Sequence, residues 1–182
     1  MPVPNGAVVS SAANLLILEE TSYNIEEMNA KDAKLYQFLT EEQKTAYDRI
    51  MNVVDNSEGG FFFLYGYGGT GKTFVWKTLC SAIRGRGQIV LPVASSGIPS
   101  LLLPKGRTTH SRFGILLDID ESATCSKIKL GSDLTELLKV TNLIIWDEAP
   151  MTHRYCFEAL DRSLRDVMRS PDESCSEKPF GT

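Results

Sequence analysis

Gly66-Tyr67-Gly68-Gly69-Thr70-Gly71-Lys72-Thr73 restricts the fold of this chain more than any other stretch, and the apolar run Phe61-Phe62-Phe63-Leu64-Tyr65 stands directly before it. A buried strand, a glycine turn and a helix opening on Lys72-Thr73 form the order that a nucleoside triphosphate site requires. Gly66, Gly68, Gly69 and Gly71, with Thr70 among them, let backbone N–H groups approach a phosphate closely. The helix N-terminus adds unpaired donors and a positive dipole end. In such a site Lys72 reaches the outer phosphates of ATP and the Thr73 hydroxyl holds Mg2+.

The same residues contain Gly66-x-Gly68-x-x-Gly71, the glycine pattern of a dinucleotide site. That site needs an acidic residue about 20 positions on to hold a ribose. No Asp or Glu lies between Glu58 and Asp118, so the dinucleotide reading fails. Residues 59–117 instead carry seven positive side chains: Lys72, Lys77, Arg84, Arg86, Lys105, Arg107 and Arg112. With a net charge of −4 for the whole chain, this asymmetry fits a segment that faces phosphates.

A length of 182 residues is one domain or part of one. Cys80, Cys125, Cys156 and Cys175 show no close pairing, and two histidines build no zinc spacing. Reduced intracellular thiols are the expectation. No Lys or Arg precedes Lys31, so a signal-peptide n-region is missing, and Leu15-Leu16-Ile17-Leu18 is too short to span a membrane.

Strands at 61–65, 89–94 and 143–146 alternate with helices opening at Thr40, at Lys72, after Ser95-Ser96-Gly97, at Ser132 or Asp133, and at Thr152. That alternation predicts an α/β fold with a parallel sheet. Residues 113–131 read as irregular, Pro171 to Lys178 as a polar loop, and 1–39 as a lead-in or the remnant of a preceding domain. Leu143-Ile144-Ile145-Trp146 ends in Asp147-Glu148, 75 residues after Lys72. Strand C-termini line the ligand crevice of a parallel sheet. There Asp147 holds magnesium through water and Glu148 polarises the attacking water. Gln43 has two readings. Thr40-x-x-Gln43 is a capping box, which spacing alone favours; otherwise its amide reads an adenine edge. By residue type alone Phe113 is a core aromatic and His110 a loop hydrogen-bonding group.

Thr40-Glu-Glu-Gln43, Gly68-Gly-Thr-Gly-Lys-Thr73, Val93-Ala-Ser-Ser-Gly-Ile98, Gly106-Arg-Thr-Thr-His-Ser-Arg-Phe113 and Trp146-Asp-Glu-Ala-Pro-Met151 follow one another in order. This series closely resembles the petite-integration-frequency DNA helicases of superfamily 1, most of all their plant-type and Helitron-transposon branch. Phe157-Glu-Ala-Leu-Asp-Arg-Ser-Leu-Arg-Asp166 and Pro179-Phe-Gly181 continue the likeness. The resemblance implies a RecA-like first motor domain over residues 40–182 and ATP hydrolysis coupled to 5′-to-3′ unwinding of DNA. It implies nuclear roles in repair, recombination and telomere maintenance. It makes Gln43 the adenine-reading glutamine. It sets Ser96 and Gly97 beside single-stranded DNA and His110 and Phe113 against its bases or backbone, with Lys105, Arg107 and Arg112 on phosphates.

Pro99 stands where the family usually has alanine, and Pro92 is unusual there too. The family continues beyond the position of Thr182 into a strand with a sensor glutamine and then a second motor domain, needed in cis, that supplies arginines to the ATP site. In the family's sheet that strand lies between the phosphate-loop strand and the Asp147 strand. The resemblance therefore implies a domain incomplete at its C-terminus. Two other readings remain: a nucleotide- or strand-binding remnant without catalysis, and another phosphate-loop phosphotransferase.

Overall fold

A three-stranded parallel sheet carries the fold. The computed structural model describes residues 14–168, so the 171–178 loop and the Pro179-Phe180-Gly181 motif lie outside the described residues. Strand β1 is Ile89–Ala94, β2 is Arg107–Thr108 and β3 is Thr141–Asp147. Their order is β2-β1-β3, with every pairing parallel. β1 is buried throughout, as an apolar central strand must be. Pro92 is tolerated inside it because β2 pairs only with Val93 and Ala94. Among the described residues Pro92 thus has a strand on one side alone, opposite Ile145.

The helices are α1 (Leu15–Thr21), α2 (Ile25–Tyr36), α3 (Glu41–Asn56), α4 (Lys72–Gly85), α5 (Gly97–Leu102), α6 (Thr109–Phe113), α7 (Asp133–Lys139) and α8 (Arg154–Met168). Two apolar cores flank the sheet. On one side α3 and α4 bring Ile50, Val54, Val75, Leu79 and Ile83 against Val90 and Ile145. On the other, α7 and α8 bring Leu137, Leu160 and Leu164 against Leu91, Val93 and Phe113. The helical spacing of these residues places them on one face of each helix. Thr40 caps α3 in a complete capping box with Gln43, and Ser132 caps α7. The apolar environment of Cys80 in α4 pushes its thiol up to about 12, which keeps it protonated.

Two expectations change. Residues 61–65 form no strand. They keep a strand's alternation, with Phe62 and Leu64 packed on the core and Phe63 and Tyr65 outward. Among the described residues, however, they have no ladder partner, and without one an extended segment is not a sheet strand. The outer edge of β3 likewise has no strand beside it among the described residues, and a cleft of about 1010 Å³ runs between the two. Thr152 does not cap α8, which begins at Arg154; its hydroxyl donates to Ser95 Oγ instead.

Within the lead-in segment, Leu15–Thr21 and Ile25–Tyr36 are helical and pack on the α/β core. α2 crosses the end of α4 so closely that a Cβ at Gly85 would lie 2.2 Å from Asn29 Oδ1. α1 packs on α7 and β1, its N-cap Asn14 donating to Asp133 O at 2.7 Å. The last turn of α1 takes up four of the basic side chains. Glu20, only 3% exposed, pairs with Arg112 and stands 3.9 Å from Arg84. Arg84 donates to Pro104 O at 3.1 Å, and Arg84 and Lys105 both lie over the Tyr23 ring. Glu19 accepts from Arg107 at 3.3 Å through its carboxylate and from Lys105 at 3.0 Å through its carbonyl. The expectation that Arg112 meets phosphates is therefore corrected: burial and the Glu20 carboxylate commit it to the core. Lys105 and Arg107 are also engaged, although both remain exposed.

Removing one partner of a buried ion pair strands the other charge. Glu20→Ala should lower the unfolding free energy by roughly 3–5 kcal/mol, measured by urea titration followed by circular dichroism. An unfolding curve that matches the unsubstituted chain would contradict this account of the cluster.

Candidate nucleotide site and strand-facing surface

The phosphate loop is shaped by glycine geometry. Gly69 and Gly71 have φ of +82° and +81°, in the left-handed region. A Cβ at Gly71 would lie 2.6 Å from Gln43 Nε2, and one at Gly66 would lie 2.6 Å from Thr70 Oγ1. Around Gly68 and Gly69 the space is open. Gly71 precedes α4, and no side chain caps that helix. Its first N–H groups therefore keep their capacity for an anion. Lys72 Nζ folds back over the loop and donates to Gly66 O at 2.5 Å and Tyr67 O at 2.9 Å. A phosphate entering the loop would compete for that ammonium.

Gln43 is the capping residue that spacing alone favours, and it makes a second contact as well. Its Oε1 accepts from Thr40 N at 3.0 Å, closing the capping box, and its Nε2 donates to Thr70 O at 2.9 Å. A glutamine amide has two acceptor lone pairs and two donor hydrogens. One of each remains, which matches the donor and acceptor that adenine presents on one edge. The helix α3 is thereby tied to the phosphate loop by one side chain.

Asp147 and Glu148 stand at the C-terminal end of β3 and line the same cleft as Gly66, Gly68–Thr70, Gly71, Lys72 and Thr73. Asp147 is buried, and its Oδ1 accepts from Trp76 Nε1 at 3.3 Å and from Glu148 N at 3.1 Å. Trp76 lies one turn after Lys72, so α4 orients Asp147 as well as the phosphate lysine. Trp76 is spaced with Val75, Leu79 and Ile83 of α4 as a core residue would be, and its indole N–H is the polar signal that sets it apart. Glu148 adopts a left-handed backbone, φ +54°. Among the described residues no group of three or more His, Cys, Asp or Glu could hold a metal alone. Thr73 and Asp147 supply two hard oxygen donors facing one cleft, the donor type that magnesium takes together with phosphate oxygens.

The residues expected to lie beside single-stranded DNA divide. Ser96 and Gly97 are exposed at the start of α5, directly after β1, and His110 is half-buried in α6. The Phe113 ring is fully buried against Trp146, 6.5 Å between centroids. Stacking on bases therefore gives way to the core role that residue type alone suggested. Among the described residues no helix is long and apolar enough to cross a membrane.

Comparison with known proteins agrees with this geometry. The family model for PIF1-like helicase matches residues 38–182. The chain is 29% identical over 133 residues to the ATP-dependent DNA helicase PIF4 of Trypanosoma brucei brucei, covering 70% of this chain and 15% of that protein. It is 29% identical over 143 residues to ATP-dependent DNA helicase PIF1 of the same organism, covering 79% of this chain and 13% of that protein. Among solved structures it is similar to Bacteroides sp. Pif1 in complex with ADP-AlF4, with a TM-score of 0.58 and 32% identity over 79% of this chain and 30% of that one. Bacteroides Pif1 bound to single-stranded DNA gives a TM-score of 0.55 and 29% identity over 72% of this chain and 29% of that one. The fold is that of the motor domain in these neighbours, and the chain spans less than a third of their length.

Gln43→Ala removes both the reciprocal cap and the tie to Thr70. It should cost about 1 kcal/mol of stability, read from the midpoint of urea unfolding at unchanged slope. An unchanged midpoint would show that the amide carries neither contact in solution.

Proposed function

The chain belongs to the PIF1-like helicase family, and from that premise we propose that it binds and hydrolyses ATP as part of a DNA helicase motor. One observation carries the proposal: the phosphate loop with Lys72 and the carboxylates of Asp147 and Glu148 face each other across a single cleft. Because the chain spans 15% and 13% of the curated helicases it matches, 5′-to-3′ unwinding is proposed for the whole protein. Nucleotide binding and hydrolysis are proposed for this chain.

In this reading the loop N–H groups and Lys72 bind the β- and γ-phosphates, and Gln43 receives the adenine. Thr73 and Asp147 would hold Mg2+, which supplies charge neutralisation at the phosphate oxygens when bound. Glu148 accepts a proton from the attacking water and aims that water in line with the leaving oxygen. Trp76 keeps the Asp147 carboxylate turned toward the cleft. Single-stranded DNA runs past Ser96 and Gly97 near His110, with exposed Lys105 and Arg107 close to its phosphates. The binding of single-stranded DNA by a Bacteroides relative supports this choice of partner. We extend the family reading to nuclear work in repair, recombination and telomere maintenance.

Fluorescent ATP analogues separate binding from chemistry. Lys72→Ala should weaken binding at least roughly tenfold, since it removes a charge-assisted contact to phosphate. Glu148→Gln should bind as the unsubstituted chain does and release phosphate at the background rate. Equal affinity in Lys72→Ala, or undiminished turnover in Glu148→Gln, would refute the assignment.

A further inference from the structure

Ser95 lies between the two sites and belongs to neither. Its backbone N–H donates to Asp147 O at 3.2 Å. Its hydroxyl lies nearest to three groups, Glu148 O at 2.7 Å, Trp146 Nε1 at 3.0 Å and Thr152 Oγ1, with Asp147 O farther off at 3.5 Å. The proton placement is forced by chemistry. A carbonyl only accepts, so Ser95 donates to Glu148 O. An indole N–H only donates, so Ser95 accepts from Trp146. The second lone pair then takes the Thr152 proton. The hydroxyl is saturated, and each of its partners belongs to the end of β3 or to the turn after it.

That turn contains the strained residue. A non-glycine residue in the left-handed region is sterically disfavoured, and Glu148 sits there at φ +54° and ψ 32°. Such a conformation persists only when its surroundings over-determine it. The Glu148 carbonyl is held by Ser95 Oγ and by Met151 N at 2.9 Å, and its N–H by Asp147 Oδ1. Pinning both flanking peptides fixes the direction in which the Glu148 side chain leaves the backbone, toward the cleft.

We propose that Ser95 is a positioning residue for hydrolysis, which aims Glu148 by holding its carbonyl and does so one residue before the strand-facing Ser96-Gly97 turn. This rests on the hydrolytic role of Glu148 proposed above. A misdirected base loses rate without losing nucleotide affinity, because binding depends on the loop and Lys72. Small misplacements of a reacting group cost roughly 10- to 100-fold.

Single-turnover hydrolysis with the chain in excess over radiolabelled Mg-ATP, with a thymidine homopolymer present, tests the proposal. Ser95→Ala should slow the step at least roughly tenfold with fluorescent-nucleotide affinity held within about threefold. Ser95→Thr, which keeps the hydroxyl, should retain most of the rate. An undiminished rate in Ser95→Ala would overturn the proposal. So would parallel losses of rate and affinity with Ser95→Thr no better than Ser95→Ala, since that marks a purely structural role. If the unsubstituted chain hydrolyses no faster than Glu148→Gln, the role of Glu148 itself fails and the Ser95 proposal falls with it.

Discussion

The parallel pairing of β1 with β3 decides where every chemical group of this domain stands. Ala94 lies in register with Asp147, so both strands end at the same level and the turns that follow them are neighbours. One turn carries Ser95, Ser96 and Gly97; the other carries Glu148 and leads to Thr152. Both strands face cores on either side, and a shift of one residue would exchange those faces. Burial therefore protects the register, and the register keeps Asp147 and Glu148 within hydrogen-bonding reach of Ser95 in the turn after β1. Helix α4 completes the arrangement, with Lys72 at its start and Trp76 on Asp147 one turn later.

The phosphate loop, α3, α4, β1 and β3 were legible because each is specified by adjacent residues: glycines before Lys72-Thr73, Thr40-x-x-Gln43, and apolar runs of strand length. The dinucleotide pattern hidden in the same loop was excluded by the acid-free stretch that follows it. What the sequence hid depends on partners far apart along the chain. Glu20 and Arg112 are 92 positions apart, and nothing local marks α1 as the element that neutralises the basic segment. Thr152 carries the residue type of a helix cap, yet its hydroxyl is claimed by Ser95, 57 positions earlier.

Residues 61–65 illustrate the other limit. Their composition states correctly that alternate side chains seek burial, and Phe62 and Leu64 find it. Ladder pairing is a property of two segments, and no periodicity within one can supply the second. Phe113 shows the reverse case. Residue type alone gave the core role that burial confirms, whereas the motif likeness had drawn the ring toward DNA. A motif carries its backbone position reliably, but a side chain's exposure follows from packing around it.

The central claim is that the phosphate loop and the β3 carboxylates act as one site across a single cleft. Calorimetric titration with a non-hydrolysable ATP analogue, in magnesium and then in EDTA, tests it most directly when repeated on Asp147→Asn. One joint site predicts tighter binding in magnesium and loss of most of that gain in Asp147→Asn, with the EDTA affinity unchanged. A magnesium effect equal in the two proteins would contradict the claim and leave the loop and β3 as separate features.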